Sequence, residues 1–277
     1  VEQTTSTAFP QLYLDRLVKL DAKKTVSTQR NIEAAILKLK RFQASDGGFR
    51  FWPGWGDSDE WSTTYVGHFL LEAKARGFAL PAEMLGDWTE FQRERAEAWT
   101  TKAEADGLTQ SYRLYTLALA GSPALGAMNR LREVSGLDDS ARWLLAAAYQ
   151  HAGQKDEATR LTRDLGVRVS VYRALRGTYG SDLRDKAVIL TALSDLGVTT
   201  TADKLAEDVS NQLSASEPYS TQTTAWALLA LARYALSTPG GTALSFSWSW
   251  DGKKAVAVQS ATPMALEDLP VASATKG

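Results

Sequence analysis

Apolar and polar positions alternate along most of this chain with the period of an α-helix, in two distinct styles. One style is Ala/Leu-rich, opens on a polar cluster and closes near a glycine. Its copies run from Trp61 to Gly77, Thr109 to Gly121, Asp138 to Gly153, Asp182 to Gly197 and Ser220 to Ala235. The opening stretch, Thr4 to Leu20, reads as a further copy, with Phe9, Leu12, Tyr13, Leu17 and Leu20 on one side. Pro10 fits that helix only inside its first turn, where no intrahelical N–H is needed. The second style carries a cleaner amphipathic stripe. Thr28 to Phe42 places Ile32, Ala35, Ile36, Leu39 and Phe42 at helical spacing. Pro81 to about Ala105, Pro123 to Val134, Lys155 to Leu165 and Thr201 to Leu213 read the same way. Asp138, Asp182 and Ser220 are expected N-caps, accepting from the free N–H groups of a first turn. Gly77, Gly121, Gly153 and Gly197 suit the left-handed position just past a helix end. Pro81 and Pro123 suit first-turn positions.

Alternation of the two styles predicts stacked helical hairpins, at an irregular spacing of roughly 30 to 50 residues that is looser than regular helical repeats. The expected fold class is all-α: an α/α toroid of about six hairpins, one helix of each pair lying inside the ring. Periodicity does not by itself separate a closed ring from an open solenoid. The run Gln43-Ala44-Ser45-Asp46-Gly47-Gly48-Phe49-Arg50-Phe51-Trp52 favours the ring. It resembles the Q-x-x-D-G-G-F-x-x-W element that recurs in α/α toroids, among them terpenoid cyclases, prenyltransferases and complement-type thioester domains. That resemblance concerns the fold, not the chemistry.

After Tyr234 the pattern changes. Thr238-Pro239-Gly240-Gly241 breaks the helix, and Leu244, Phe246, Trp248 and Trp250 then alternate with small residues. Asp251-Gly252 is a type I′ turn signal, and a second alternation runs from Ala255 to Val258. A lone hairpin of this kind does not stabilise itself. The expected organisation is therefore residues 1–237 as the toroid and residues 238–277 as a β-hairpin and linker belonging to an adjacent β-sandwich domain, with Glu267 to Gly277 reading as linker.

With 277 residues, 44% hydrophobic and 23% charged, the chain has enough apolar material for one large core. A net charge of −1 offers no basic excess to neutralise phosphates, which argues against nucleic-acid partners. No run of apolar residues is long enough for a membrane span. The absence of cysteine removes disulfides, thiolate nucleophiles and Cys-based metal sites from this chain. No His/carboxylate spacing suggests zinc, and no Gly-x-Ser-x-Gly frame suggests a serine hydrolase; no cofactor is implied.

The candidate chemistry lies at Glu2-Gln3. Val1-Glu2-Gln3, followed by Thr4-Thr5-Ser6 and Ala8-Phe9-Pro10-Gln11-Leu12-Tyr13-Leu14, resembles the thioester motif of the α2-macroglobulin and complement family, and its bacterial members in particular. In that family a Gly-Cys-x-Glu-Gln run joins the Cys sulfur to the Gln side-chain carbonyl. Val1 matches x, Glu2 the Glu and Gln3 the Gln; the chain holds no cysteine, so the Cys is expected either immediately before Val1 or to be absent, the domain then binding non-covalently. The resemblance covers essentially the whole chain. It implies a non-enzymatic protease trap in which Gln3 supplies the acyl carbon, Glu2 positions the motif, and target proteases are captured through amines. It further implies other domains of the same parent chain as partners and a periplasmic or cell-surface location. Some members use a histidine to promote transfer to hydroxyls. The corresponding stretch, Ala105 to Ser111, contains none, so amine acceptors are expected.

Two other readings stand beside this one. Trp52, Trp55 and Trp61 surround Asp57, Asp59 and Glu60. Aromatic rings beside paired carboxylates are the equipment of a carbohydrate-active enzyme, although an acidic loop leading into a helix N-terminus is the simpler account. A toroid that binds a protein non-covalently through its rim is the other. His68, with Glu72 one turn on, is an acid/base pair or a packed core histidine. His151, at a helix end, meets the partial negative charge there.

Overall fold

The computed structural model describes residues 1–100, 107–174, 177–215, 218–238, 244–250, 254–263 and 265. In chain order the elements are α1 (Glu2–Ala8), a 3₁₀ turn (Pro10–Tyr13), α2 (Leu14–Leu17), α3 (Ala22–Lys40), β1 (Arg50–Trp52), β2 (Trp55–Ser58), α4 (Glu60–Ala75) and α5 (Met84–Ala98). They continue with α6 (Gly107–Leu119), α7 (Leu125–Arg132), α8 (Asp139–His151), α9 (Lys155–Thr162), α10 (Asp182–Leu196), α11 (Thr199–Ser214), α12 (Thr221–Ser237), β3 (Leu244–Trp248) and β4 (Val256–Ser260).

The two sequence styles occupy two layers. Helices α4, α6, α8, α10 and α12 are buried on nearly every face, as expected of helices enclosed by others. In α3 burial is confined to the stripe Ile32, Ala35, Ile36 and Leu39. The inner helices touch in sequence, α1 to α4, α4 to α6, α6 to α8, α8 to α10 and α10 to α12, and α12 returns to α1. That last contact closes the ring, so the fold is the α/α toroid and not an open solenoid. Phe9, Tyr65, His68, Tyr112 and Trp226 fill its axis, with centroid separations from 4.9 Å (Phe9–His68) to 6.1 Å (Tyr65–Trp226).

Of the three expected N-caps two hold and one shifts, and neither Pro81 nor Pro123 falls in a first turn, since α5 opens at Met84 and α7 at Leu125. Asp138 and Ser220 cap α8 and α12, accepting from Ala141 N at 2.7 Å and Thr223 N at 3.1 Å. At α10 the cap is Ser181, which accepts from Arg184 N at 3.1 Å; Asp182 is the first helical residue instead. Both positions suit their residues, since the hydroxyl meets a free N–H and the carboxylate faces the positive end of the dipole. At Gly77, with φ +87°, Phe78 N donates to Ala73 O and Gly77 N to Lys74 O, both at 3.0 Å. This is a Schellman closure, and Gly121, Gly153 and Gly197 repeat it.

The expected single helix from Thr4 to Leu20 is broken. Phe9 N closes α1 by donating to Thr5 O at 2.8 Å, and Pro10 then has no N–H to continue the ladder. The chain proceeds as a 3₁₀ turn and a short α2. The helix also starts earlier than expected, at Glu2, which puts Glu2 and Gln3 in its first turn. Likewise α3 starts at Ala22, capped by Asp21, which accepts from Lys24 N at 2.7 Å. Met84, not Pro81, opens α5, because Glu83 adopts a left-handed conformation at φ 62°. The expected end of this helix, at Ala105, lies outside the described residues.

Strands β3 and β4 pair antiparallel, Phe246 opposite Val258, which bears out the hairpin. Trp250 falls beyond β3, and Phe246 and Trp250 each remain 43% exposed. The expected turn at Asp251-Gly252, the break at 239–241 and the tail 267–277 lie outside the described residues. Among the described residues no helix is long and apolar enough to cross a membrane.

Candidate functional site

The first turn of α1 opens onto a cleft of about 1210 Å³. One wall is α1, the 3₁₀ turn and α3, contributing Glu2, Gln3, Gln11, Asn31 and Lys38; the other is the β1–β2 ribbon, contributing Trp52, Trp55 and Asp57. Tyr179, from the loop before α10, also lines it. Gln3 is exposed at this cleft, and its side chain makes no hydrogen bond among the described residues.

Glu2 faces the ring seam. Its Oε1 accepts from Ser6 Oγ at 2.7 Å, one turn up the same helix, and from Thr221 Oγ1 at 3.0 Å, in the first residue of α12. Ser6 Oγ also lies 3.2 Å from Tyr65 Oη in the axis. The carboxylate thus ties α1 to α12 and fixes the rotation of the turn that carries Gln3. Burial and the Glu2 charge hold the Tyr65 phenol well above its ordinary range, so it stays protonated. Phe9, Leu12 and Tyr13 are buried in the core and do not line the cleft.

The ribbon reaches the cleft because the loop before it is pinned. Gln43 Nε2 donates to Gly47 O at 3.2 Å and to Met84 O at 2.9 Å. Asp46 Oδ1 accepts from Gly48 N at 3.0 Å and from Ser58 Oγ at 2.8 Å, joining the loop to the end of β2. Gly47 has φ +89°, and a Cβ there would stand 2.2 Å from Asp87 O, so the loop lies directly on α5. The ribbon then turns at Pro53-Gly54, setting Trp52 opposite Trp55, so the two rings share a face. Val1 N donates to Phe51 O at 3.3 Å, holding the ribbon to the start of α1.

No family model matches the chain. It is 30% identical over 212 residues to an Escherichia coli (strain K12) alpha-2-macroglobulin, covering 70% of this chain and 13% of that protein. A crystal structure of native E. coli alpha-2-macroglobulin, spanning the residues from domain MG7 to the C-terminus, superposes with a TM-score of 0.76. Identity there is 25%, with 94% of this chain and 43% of that one covered. E. coli alpha-2-macroglobulin activated by porcine elastase gives a TM-score of 0.70 at 25% identity, covering 93% of this chain and 25% of that one. The chain belongs to the alpha-2-macroglobulin family. It spans only a small part of the curated relatives it matches.

Within this alpha-2-macroglobulin-family toroid, the carboxylates expected for carbohydrate chemistry are not assembled. Asp59 caps α4, accepting from Ser62 N at 2.7 Å. Glu60 pairs with Arg113 and, at 3.4 Å, with Arg95. Trp61 is buried and donates to Gln222 Oε1 at 3.0 Å across the ring. Of that cluster only Trp52, Trp55 and Asp57 face the cleft. His68 lies inside the axis, bonded through Nδ1 to Tyr112 Oη at 3.0 Å, with Nε2 3.8 Å from Glu72. Burial and the nearby Arg233 charge hold it well below its ordinary value, so it is neutral and packed, away from the cleft. His151, the last residue of α8, bonds Asp195 Oδ2 at 2.9 Å. Burial raises the Asp195 carboxyl, but Arg233 and hydrogen bonds from His151 and Tyr115 outweigh it and bring it to about 2. Sequence reasoning missed that Gln3 and the Trp52–Trp55 ribbon share one cleft. Pro53-Gly54 between two tryptophans was the available signal for the ribbon, and nothing local linked it to residue 3.

Proposed function

We propose that this chain is the thioester domain of an alpha-2-macroglobulin-like protease inhibitor. Its toroid comprises residues 1–237, and residues 238–277 begin an adjacent β-domain. The observation that carries this reading is the position of Gln3: exposed, without a hydrogen-bonding partner, in the first turn of an inner helix whose rotation Glu2 fixes against α12. The reading requires a cysteine directly before Val1, since the chain contains none. Loss of ammonia from Gln3 would join its Cδ to that sulfur. An incoming amine then attacks Cδ, a C–N bond forms and the C–S bond breaks. The sulfur leaves as a thiolate and takes up the amine's proton.

In this account a protease cleaves the parent protein elsewhere and the exposed acyl group captures it through a lysine. The elastase-activated state of the E. coli relative supports that sequence of events. A periplasmic or cell-surface location and the absence of enzymatic turnover belong to the same proposal. The test replaces Gln3 by Ala in a parent that carries the cysteine. The variant should still be cleaved by an added protease but form no denaturant-resistant conjugate with it. Undiminished conjugate in that variant would remove Gln3 from the chemistry.

A further inference from the structure

Trp52 and Trp55 are 66% and 76% exposed, unusual for the largest apolar side chain, and both line the cleft beside Gln3. Asp57, two residues beyond Trp55, lines it as well, and its carboxylate forms no ion pair or hydrogen bond among the described residues. Tyr179 brings a third ring from a separate element.

The backbone at Tyr179 is held in a costly conformation. Its φ is +49°, in the left-handed region that non-glycine residues avoid. The flanking turn is fixed on both sides. Arg184, 1% exposed, donates to Thr178 O at 3.3 Å and to Tyr172 Oη at 3.0 Å, with its guanidinium 4.4 Å over the Trp61 ring. Gly180 O accepts from Ala174 N at 2.8 Å, and a Cβ at Gly180 would stand 2.4 Å from Tyr172 Oη. Ser181 caps α10 and bonds Thr223 Oγ1 at 2.9 Å. A buried arginine and a cap therefore over-determine a strained turn whose residue lines the cleft.

Aromatic faces carry negative quadrupole charge and attract ammonium groups, most strongly at tryptophan. Aromatic rings on two elements, lining the same cleft as the free Asp57 carboxylate, match a cation on an apolar stem, not a neutral apolar segment. Lys38 is the cationic side chain in the cleft's lining, set on the α3 wall opposite the ribbon. We propose that this cleft binds the alkylammonium side chain of a lysine, held by Trp52, Trp55 and Tyr179 with Asp57 as its counter-ion. That the bound amine is the one acylated rests on the Gln3 reading; the binding itself does not.

The test titrates this chain with N-acetyl-lysine methylamide and with its neutral isostere, N-acetyl-norleucine methylamide, following the tryptophan indole N–H signals by NMR. The lysine compound should bind in the millimolar range and about tenfold more tightly than the isostere. Trp55→Ala and Asp57→Asn should each weaken it about fivefold while leaving the circular dichroism unchanged. Equal binding of the two compounds, no binding of either, or lysine binding indifferent to both substitutions would overturn the proposal. Cello-oligosaccharide binding at Trp52 and Trp55 without lysine binding would overturn it in favour of a glycan site. A parent that takes up methylamine while this cleft ignores lysine would sink the cleft proposal and leave the Gln3 chemistry standing. Lysine binding without methylamine uptake would support the cleft and remove the chemistry.

Discussion

Gly67→Ala is a sensitive probe of how the inner and outer helices meet. Gly67 lies in α4 facing Trp88 of α5. A Cβ there would stand 2.0 Å from Trp88 Cε2 and 2.2 Å from Cζ2 and Nε1. Non-bonded carbons sit about 3.5–4.0 Å apart, so the indole or the whole of α5 must give by roughly 1.5 Å. The indole cannot swing away freely. It is fully buried, and its Nε1 donates to Thr63 O at 2.8 Å. Overpacking costs about 1–3 kcal/mol, and a weakened buried hydrogen bond adds about 1 kcal/mol. Against this, alanine in a helix interior gains about 0.5–1 kcal/mol over glycine. The expected net destabilisation is about 2 kcal/mol, or roughly 4–8 °C in Tm for a chain of this size. Gly86→Ala, in α5 with nothing within 4 Å of its Cβ position, is the control and should stabilise by about 0.5–1 kcal/mol. Thermal and urea denaturation of the two variants read the difference. A Gly67→Ala protein as stable as Gly86→Ala would refute the close approach of α4 and α5.

Three further outcomes follow from other contacts. Gln222→Leu leaves the buried Trp61 Nε1–H without its acceptor and should cost about 1–3 kcal/mol in urea denaturation; a neutral result would mean the ring is not closed at that point. His68, whose folded pKa burial lowers below the ordinary histidine value of about 6.5, binds fewer protons folded than unfolded as pH falls below that value. Its contribution to stability is therefore complete above that pH and declines below it, by up to about 1.4 kcal/mol per pH unit. His68→Gln should flatten the stability curve in that window, and an unchanged slope would place the titrating group elsewhere. Trp55→Ala, at an exposed position, should shift stability by no more than about 0.5 kcal/mol; a large loss of Tm would make that ring a structural element and not a binding one.

The toroid was legible because its two layers have different solvents. Inner helices such as α4 and α12 are enclosed and read as Ala/Leu-rich all round, whereas α3 meets water on one side and shows a stripe. The four Schellman glycines mark the ends of inner helices in the sequence itself. Local rules failed where two of them competed. At α10, Ser181 and Asp182 are both good N-terminal residues, and hydrogen-bond geometry selects Ser181. At α1, apolar spacing carried the expectation through Pro10, which breaks the ladder. The cleft was legible only in halves. Glu2-Gln3 and the Trp52–Trp55 pair were each visible, but the hydrogen bond from Val1 N to Phe51 O that brings them together crosses a long stretch of chain and has no local signature. The Asp57–Asp59–Glu60 run misled in the opposite way. Adjacent carboxylates suggested a shared site, yet Asp59 caps α4 and Glu60 pairs with Arg113 and Arg95, which leaves Asp57 alone at the cleft.

The most direct test is the intact mass of a parent protein that carries cysteine before Val1, measured with and without methylamine. The account predicts a mass below that of the translated sequence by one ammonia, then a gain of one methylamine accompanied by one newly free thiol, with the methylamide mapped to Gln3. An unshifted mass and no new thiol in the folded parent would contradict it, leaving the toroid without its proposed chemistry.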